Sequence, residues 1–406
     1  MIAAQPQTHI SSNRSALWII SLVPLIWGAL TAMTSLLVPY LREVYSLSHT
    51  QSVLVQVVFS MIPVVMGLPS AFLIGRYGYR SSLFLSLVFA LFGCGVMLVS
   101  AITSSYVLSL AATIVISIAV TTMQVVVNPV VTNMGPQNLS SQRLTFSSMV
   151  NAIGVTLAPL MAAGFLFRDY SQTVSERAAN MLVPYLGLIL VIVVTTFLLK
   201  KASISFPNNR DSKKTDTGAR AKIKHPHFWF GVVAIFCYTG AEVSVATYLI
   251  SYLSDVVKMT ASEASRYIAF YWGGALLGRI VGAMTLARFD ARNVLITNAS
   301  VALLISIFAV VNPGYLSGML LVGLGLCHSI MYPVIFSLAL NRLGAQAAKA
   351  SGILVMAGCG GAIFPMLQAL LADRYVISDT FGLVAICYLI IMMFSVMVKR
   401  LSAREQ

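Results

Sequence analysis

Among the twelve acidic residues of this 406-residue chain, Glu242 is the one set deep in an apolar run, within Phe236-Cys237-Tyr238-Thr239-Gly240-Ala241-Glu242-Val243-Ser244. The other eleven fall in polar stretches or near the ends of apolar runs. A charge at the centre of a bilayer costs at least roughly 2.5–3.5 kcal/mol, so an ionisable group placed there is a functional candidate. A carboxyl taken out of water favours its neutral form, and such a group can load and release a proton. With Ser244 and backbone carbonyls, Glu242 could instead offer oxygen ligands to a sodium ion. It could also only accept hydrogen bonds from a solute's hydroxyls. The plainer reading is a structural carboxylate paired with an arginine or with helix-end amides.

Several neutral polar groups share the apolar runs. Gln124 and Asn128 stand four residues apart in Gln124-Val125-Val126-Val127-Asn128-Pro129. An amide both donates and accepts, which suits a neutral, hydroxyl-rich solute. Amides in membrane helices also serve as interhelical glue, worth under about 1–2 kcal/mol per bond. Asn151 carries the same two readings. His328 offers a ring that hydrogen-bonds and titrates near neutrality, although a lone membrane histidine is often a satisfied packing residue. Of the aromatic residues Trp27, Tyr238, Tyr248, Tyr271, Trp272 and Tyr332, most read as core or interfacial belt. Trp272 and Tyr332 are the two that would lie against the apolar side of a sugar ring. The five cysteines, at 94, 237, 327, 359 and 387, form no CxxC pair and read as small buried hydrophobes.

The elements that must hold these groups are long and apolar. The chain is 58% hydrophobic and 9% charged, against roughly 25% charged residues in a soluble domain. Such a composition fits a surface made mostly of contact with lipid. The net charge of +14 then reflects basic loops beside anionic lipid, with no nucleic acid expected as a partner. A spanning helix needs about 20 mostly apolar residues. Twelve such runs can be drawn, at 17–41, 52–75, 81–103, 105–130, 145–167, 181–200, 228–253, 264–286, 293–312, 315–340, 350–372 and 379–398. The first run is too long for the apolar core of a secretory leader.

The longest polar stretch, 201–226, is a charged linker that divides the chain into residues 1–200 and 227–406. With both termini and the linker in the cytoplasm, 19 of the 26 Lys and Arg fall inside and 6 outside, Arg279 lying within a span. That asymmetry obeys the positive-inside rule. The halves also echo each other. Gln124 to Pro129 in the fourth run is matched by His328-Ser329-Ile330-Met331-Tyr332-Pro333 in the tenth. Each places one polar side chain five residues before a proline and another directly before it. The turn Gly75-Arg76-Tyr77-Gly78-Tyr79-Arg80 is matched by Ala287-Arg288-Phe289-Asp290-Ala291-Arg292. The expected fold is an all-α membrane protein of twelve transmembrane helices in two six-helix repeats, the major facilitator architecture, with a solute site at mid-depth between the repeats. Gly274, Gly278 and Gly282 recur every four residues and mark a face for close helix approach, a candidate for a moving interface.

At these residues the chain resembles the fucose–galactose–N-acetylglucosamine symporter family. The resemblance covers nearly all of the membrane part. It is strongest in Gln124 to Pro129 with Gly135-Pro136, in Arg143-Leu144 leading to Asn151, and in Cys237 to Ser244. It continues in Tyr271-Trp272-Gly273-Gly274 with Gly278-Arg279, and in Tyr332 to Leu338. Gln124 and Glu242 resemble the glucose/galactose and N-acetylglucosamine side of that family, since the fucose side tends to carry Glu and Gln there. Four positions, in three places, depart from the family pattern. An Asn-Asp pair usual in the first helix is replaced by Thr34-Ser35, a Gln usual in the fifth is Ser148, and His328 stands where a small or amide residue is more usual.

The resemblance and the mid-span polar set together imply a secondary active transporter of a sugar or sugar derivative, coupled to H+ or Na+. Its substrate contacts would come from Gln124, Asn128, Asn151, Glu242, Trp272, His328 and Tyr332, with Glu242 as the ion-coupling residue. An exporter of metabolites or drugs on the same fold, and a membrane sensor that binds solute without moving it, are the alternatives. No phosphate-cradling loop, nucleophile elbow or metal cluster is legible, so neither an enzyme nor a bound cofactor is expected. The expected location is a bacterial inner membrane, as a multi-pass monomer in contact with lipid.

Overall fold

In lipid every backbone amide must pair within its own segment, so apolar runs of this length become helices. The computed structural model describes residues 14–47, 49–166, 173–202, 204, 206 and 223–403. Its first half holds α1 (Arg14–Val44), α2 (His49–Thr103), α3 (Tyr106–Asn133), α4 (Ser140–Leu166), α5 (Val174–Ala179) and α6 (Leu182–Lys201). Its second half holds α7 (Pro226–Asp255), α8 (Ala261–Thr285), α9 (Ala291–Val311), α10 (Tyr315–Leu340), α11 (Ala347–Met356), α12 (Gly360–Ala372) and α13 (Phe381–Ala403). The centre of the polar linker, 207–222, lies outside the described residues.

Eleven helices among the described residues are long and apolar enough to cross a membrane, where twelve runs were expected. The difference lies in α2. Its apolar part, Leu54–Thr103, is 50 residues long, which at 1.5 Å per residue is more than two bilayer cores. The second and third expected runs are continuous in it except at Gly78, where φ 85° and ψ 163° interrupt the helix. A φ in that range is open to glycine and strained for residues with a Cβ. The tenth span, Ala347–Ala372, which matches the eleventh expected run, is two helices, α11 and α12, joined by a 3-10 turn at Ala357–Cys359.

The packing repeats. α1 lies on α4 in the first half, as α7 lies on α12 in the second. Glycines allow both approaches. A Cβ on Gly154 would stand 2.2 Å from the Leu25 carbonyl, and one on Gly360 1.9 Å from that of Phe236. The halves also exchange partners symmetrically: α4 packs on α8 and α10, while α11 packs on α2 and α3. The glycine face of α8 seats that helix on α10, since Cβ atoms on Gly278 and Gly282 would meet Ser329 and Ile330. The expected moving interface is therefore mainly packing within one half. A Cβ on Gly282 would also approach the other half, 4.0 Å from Thr145.

The direct contacts across the halves cluster at one end, where α4 and α11 begin and α10 stops. Ser140 and Ser141 reach Ser337 at 2.7 and 3.0 Å. Gly67 and Gly352 meet backbone to backbone, a Cβ on Gly352 lying 2.4 Å from the Gly67 carbonyl. At the same end the buried Arg143 closes the last turn of α3. Its guanidinium donates to the carbonyls of Val131, Thr132 and Pro136 at 3.0, 2.6 and 2.9 Å. A cation at a helix C-terminus satisfies orphan carbonyls and meets the negative end of the dipole.

Candidate functional site

Glu242 sits mid-way along the 30-residue α7 and is half-buried. One turn earlier on the same face, the spacing that lets helical side chains meet, Tyr238 places its hydroxyl 2.8 Å from Glu242 Oε1. The same hydroxyl lies 2.9 Å from the main-chain carbonyl of His328 on α10. A phenol has one proton. With an ionised carboxylate that proton is divided between the two acceptors, whereas a protonated carboxyl can donate to Tyr238 and leave the phenolic proton wholly for the His328 carbonyl.

The His328 ring is fully buried and held from both sides. Nδ1 is 2.6 Å from the Tyr271 hydroxyl on α8, and Nε2 pairs with the Tyr388 hydroxyl on α13. Tyr271 also reaches the main-chain carbonyl of Glu242 at 3.3 Å. One proton arrangement satisfies all of these groups. Nδ1–H donates to Tyr271, Tyr271 donates to the Glu242 carbonyl, and Tyr388 donates to Nε2. A neutral ring thus ties α8 and α13 to α10. The links from imidazole to carboxyl run through main-chain carbonyls, which pass no proton.

Around this cluster the rings of Tyr238 and Tyr332 lie 6.0 Å apart, and Tyr332 is half-buried with Phe336 behind it at 5.7 Å. Trp272 is 45% exposed, its ring edge-on to Tyr271 at 5.1 Å. Arg279, on α8, interacts electrostatically with Glu242, and its Nε is buried without a hydrogen-bond partner. Ser244 is buried with an unpaired hydroxyl, two residues from Glu242 and so on a different face of α7.

The first-half residues are placed differently. Gln124 is half-buried and Asn128 buried in α3, ahead of the in-helix Pro129. Neither side-chain amide bonds to another described residue. Asn151 donates to the Pro24 carbonyl at 3.0 Å and fills the space opposite Gly28, where a Cβ would stand 2.6 Å from its Nδ2. Its amide nitrogen is thereby engaged in joining α4 to α1. Of the seven residues singled out from the sequence, the structure joins Glu242, His328 and Tyr332 through the tyrosine cluster. Trp272 borders that cluster, and Gln124, Asn128 and Asn151 belong to the first half. Tyr238, Tyr271, Tyr388 and Arg279 complete the cluster; the sequence marks Tyr238 and Tyr271 only as core or belt aromatics and Arg279 only as a basic residue within a span, and does not mark Tyr388. The four-residue step from Tyr238 to Glu242 was the one signal that could have found a member.

Two matching groups of apolar helices, one of them holding a half-buried carboxyl beside buried phenols and an imidazole, define the class of a polytopic membrane transporter. The sequence profile of the Major Facilitator Superfamily matches residues 20–366. The chain is 34% identical over 390 residues to a protein from Brucella abortus biovar 1 (strain 9-941) named glucose/galactose transporter, covering 94% of each. It is 25% identical over 399 residues to the L-fucose-proton symporter of Escherichia coli (strain K12), covering 91% of this chain and 90% of that one. In three dimensions it resembles a crystal structure of a major facilitator superfamily transporter, FucP, in the outward conformation. The TM-score is 0.86 at 21% identity, over 95% of this chain and 99% of that one. The chain belongs to the major facilitator superfamily.

Proposed function

We propose that this protein carries a neutral hexose of the glucose/galactose type across a bacterial inner membrane, coupled to a proton. The observation that carries the reading is its likeness, over nearly the full length, to a protein named glucose/galactose transporter. The chemistry of the site agrees: two unbonded amides, Gln124 and Asn128, and half-exposed aromatic faces at Trp272 and Tyr332 suit a polyhydroxylated ring with one apolar side. Residues 1–200 and 227–406 act as two bodies rocking about that site, with the linker and both termini in the cytoplasm. In this assignment the closed end built from Ser140, Ser337, Gly67 and Gly352 faces the cytoplasm, and the conformer opens outward.

Glu242 is the coupling residue in this reading. A proton is favoured over sodium because the Tyr238 geometry pairs fully with a protonated carboxyl. A sodium site would need several converging oxygens, and Ser244 lies off the Glu242 face. Uptake of radiolabelled D-glucose and D-galactose into proteoliposomes tests the function, under an inward proton gradient and separately under an inward sodium gradient. Accumulation driven by the proton gradient is the expected outcome. Binding without accumulation under either gradient would identify a sensor, and efflux of apolar cations without sugar uptake an exporter.

A further inference from the structure

We infer that Tyr238 transmits the protonation state of Glu242 to α10. The inference rests on the reading of Glu242 as the coupling residue and extends it to a group that does not itself titrate in transport. The Tyr238 hydroxyl stands between two acceptors of near-equal distance, Glu242 Oε1 at 2.8 Å and the His328 carbonyl at 2.9 Å. With Glu242 protonated, the carboxyl donates to Tyr238, and Tyr238 donates to α10. When the carboxyl gives its proton to water, it becomes an acceptor only, and a charged acceptor draws the stronger hydrogen bond. The phenolic proton then turns to Oε1, and the His328 carbonyl loses its bond from α7. No other proton moves, and Tyr238 keeps its own throughout.

The place where that bond lands gives it consequence. Pro333 lies inside α10 and removes the donor that would serve the carbonyl of Ser329. His328 is the residue before Ser329, so Tyr238 ties α7 to α10 beside its weakest turn. α10 packs in turn on α4 of the other half. Loss of one proton from Glu242 thus removes one hydrogen bond between α7 and a helix that touches both halves. The titratable or charged groups around Glu242 are Tyr238 on its own helix, Tyr271 and Arg279 on α8, His328 and Tyr332 on α10 and Tyr388 on α13. From α12 the near neighbour on this part of α7 is the apolar Phe364, against Gly240.

Infrared spectra of the purified full-length protein in lipid test the switch without relying on transport. Wild type is expected to show a protonated-carboxyl stretching band that disappears in Glu242→Gln. The same band is expected to move in Tyr238→Phe, which keeps the ring and removes the hydroxyl. Absence of a band assignable to Glu242, or a band unmoved in Tyr238→Phe, would overturn the inference. A second arm uses proteoliposomes and labelled D-galactose. In Tyr238→Phe the gradient-driven accumulation should fall relative to counterflow by roughly 5- to 150-fold, the range of ordinary coupling free energies. Parallel losses in both would make Tyr238 merely structural and also overturn it. If wild type moves no sugar at all, the transport reading fails by itself, and the infrared arm still decides the switch.

Discussion

Gln124 and Asn151 carry amides on helices of the same half, and the fold uses them differently. The Gln124 amide is half-buried and bonds to no described residue, whereas Asn151 donates to the Pro24 carbonyl and packs against Gly28. Substitution should separate the two. Gln124→Ala is expected to leave the thermal unfolding midpoint in detergent unmoved and to raise the KM for sugar uptake. Asn151→Ala is expected to lower the midpoint, through loss of about 1 kcal/mol of interhelical hydrogen bonding. A lowered midpoint in Gln124→Ala, or an unmoved one in Asn151→Ala, would contradict these assignments. The sequence makes Glu242 legible because lipid penalises a carboxylate so heavily that its position is informative by itself. It leaves Tyr388 hidden, because a single phenol in the run Phe381-Gly382-Leu383-Val384-Ala385-Ile386-Cys387-Tyr388 is as much at home in a core as in a site. Arg279 is hidden for a related reason, since a long basic side chain in a span also reads as one that snorkels to the interface.

At the scale of helices, the expected boundaries lie close to the observed ones because apolar length is a direct response to bilayer thickness. The tenth run, 315–340, coincides with Tyr315–Leu340. The break in α2 is legible as the gap 76–80 between the second and third runs, although the dihedral angles of Gly78 that make it are less legible, since hydropathy does not report them. The pairing of glycines is less legible still. The periodic stripe at Gly274, Gly278 and Gly282 is visible in sequence and packs within one half. The pair that brings the halves together, Gly67 and Gly352, has no periodicity to reveal it. A Val at 352 would place its Cβ 2.4 Å from the Gly67 carbonyl, which neither backbone can yield cheaply. Gly352→Val should therefore open this end. Spin labels placed at 140 and 337 are expected to report a longer mean distance than in the parent protein. An unchanged distance would show that α11 and α2 do not control closure.

For the whole molecule, α4 and α11 are exchanged symmetrically between the halves, which is the interface the proposed rocking would use, and a hydrogen-bond cluster joins α7, α8, α10 and α13 within one half. Among the described residues, the first half contributes amides with no hydrogen-bond partner, Gln124 and Asn128, and the second the one acid placed deep within a span, Glu242. Division of labour of this kind links solute and cation only if Glu242 changes its protonation during the cycle. Proteoliposomes holding wild type or Glu242→Gln give the most direct reading of that condition. Labelled D-galactose would be followed under an inward proton gradient, with counterflow measured in the same vesicles. The expected result is accumulation in wild type and none above equilibrium in Glu242→Gln, while counterflow in the variant stays measurable. Gradient-driven accumulation by Glu242→Gln at the wild-type level would contradict the role assigned to Glu242.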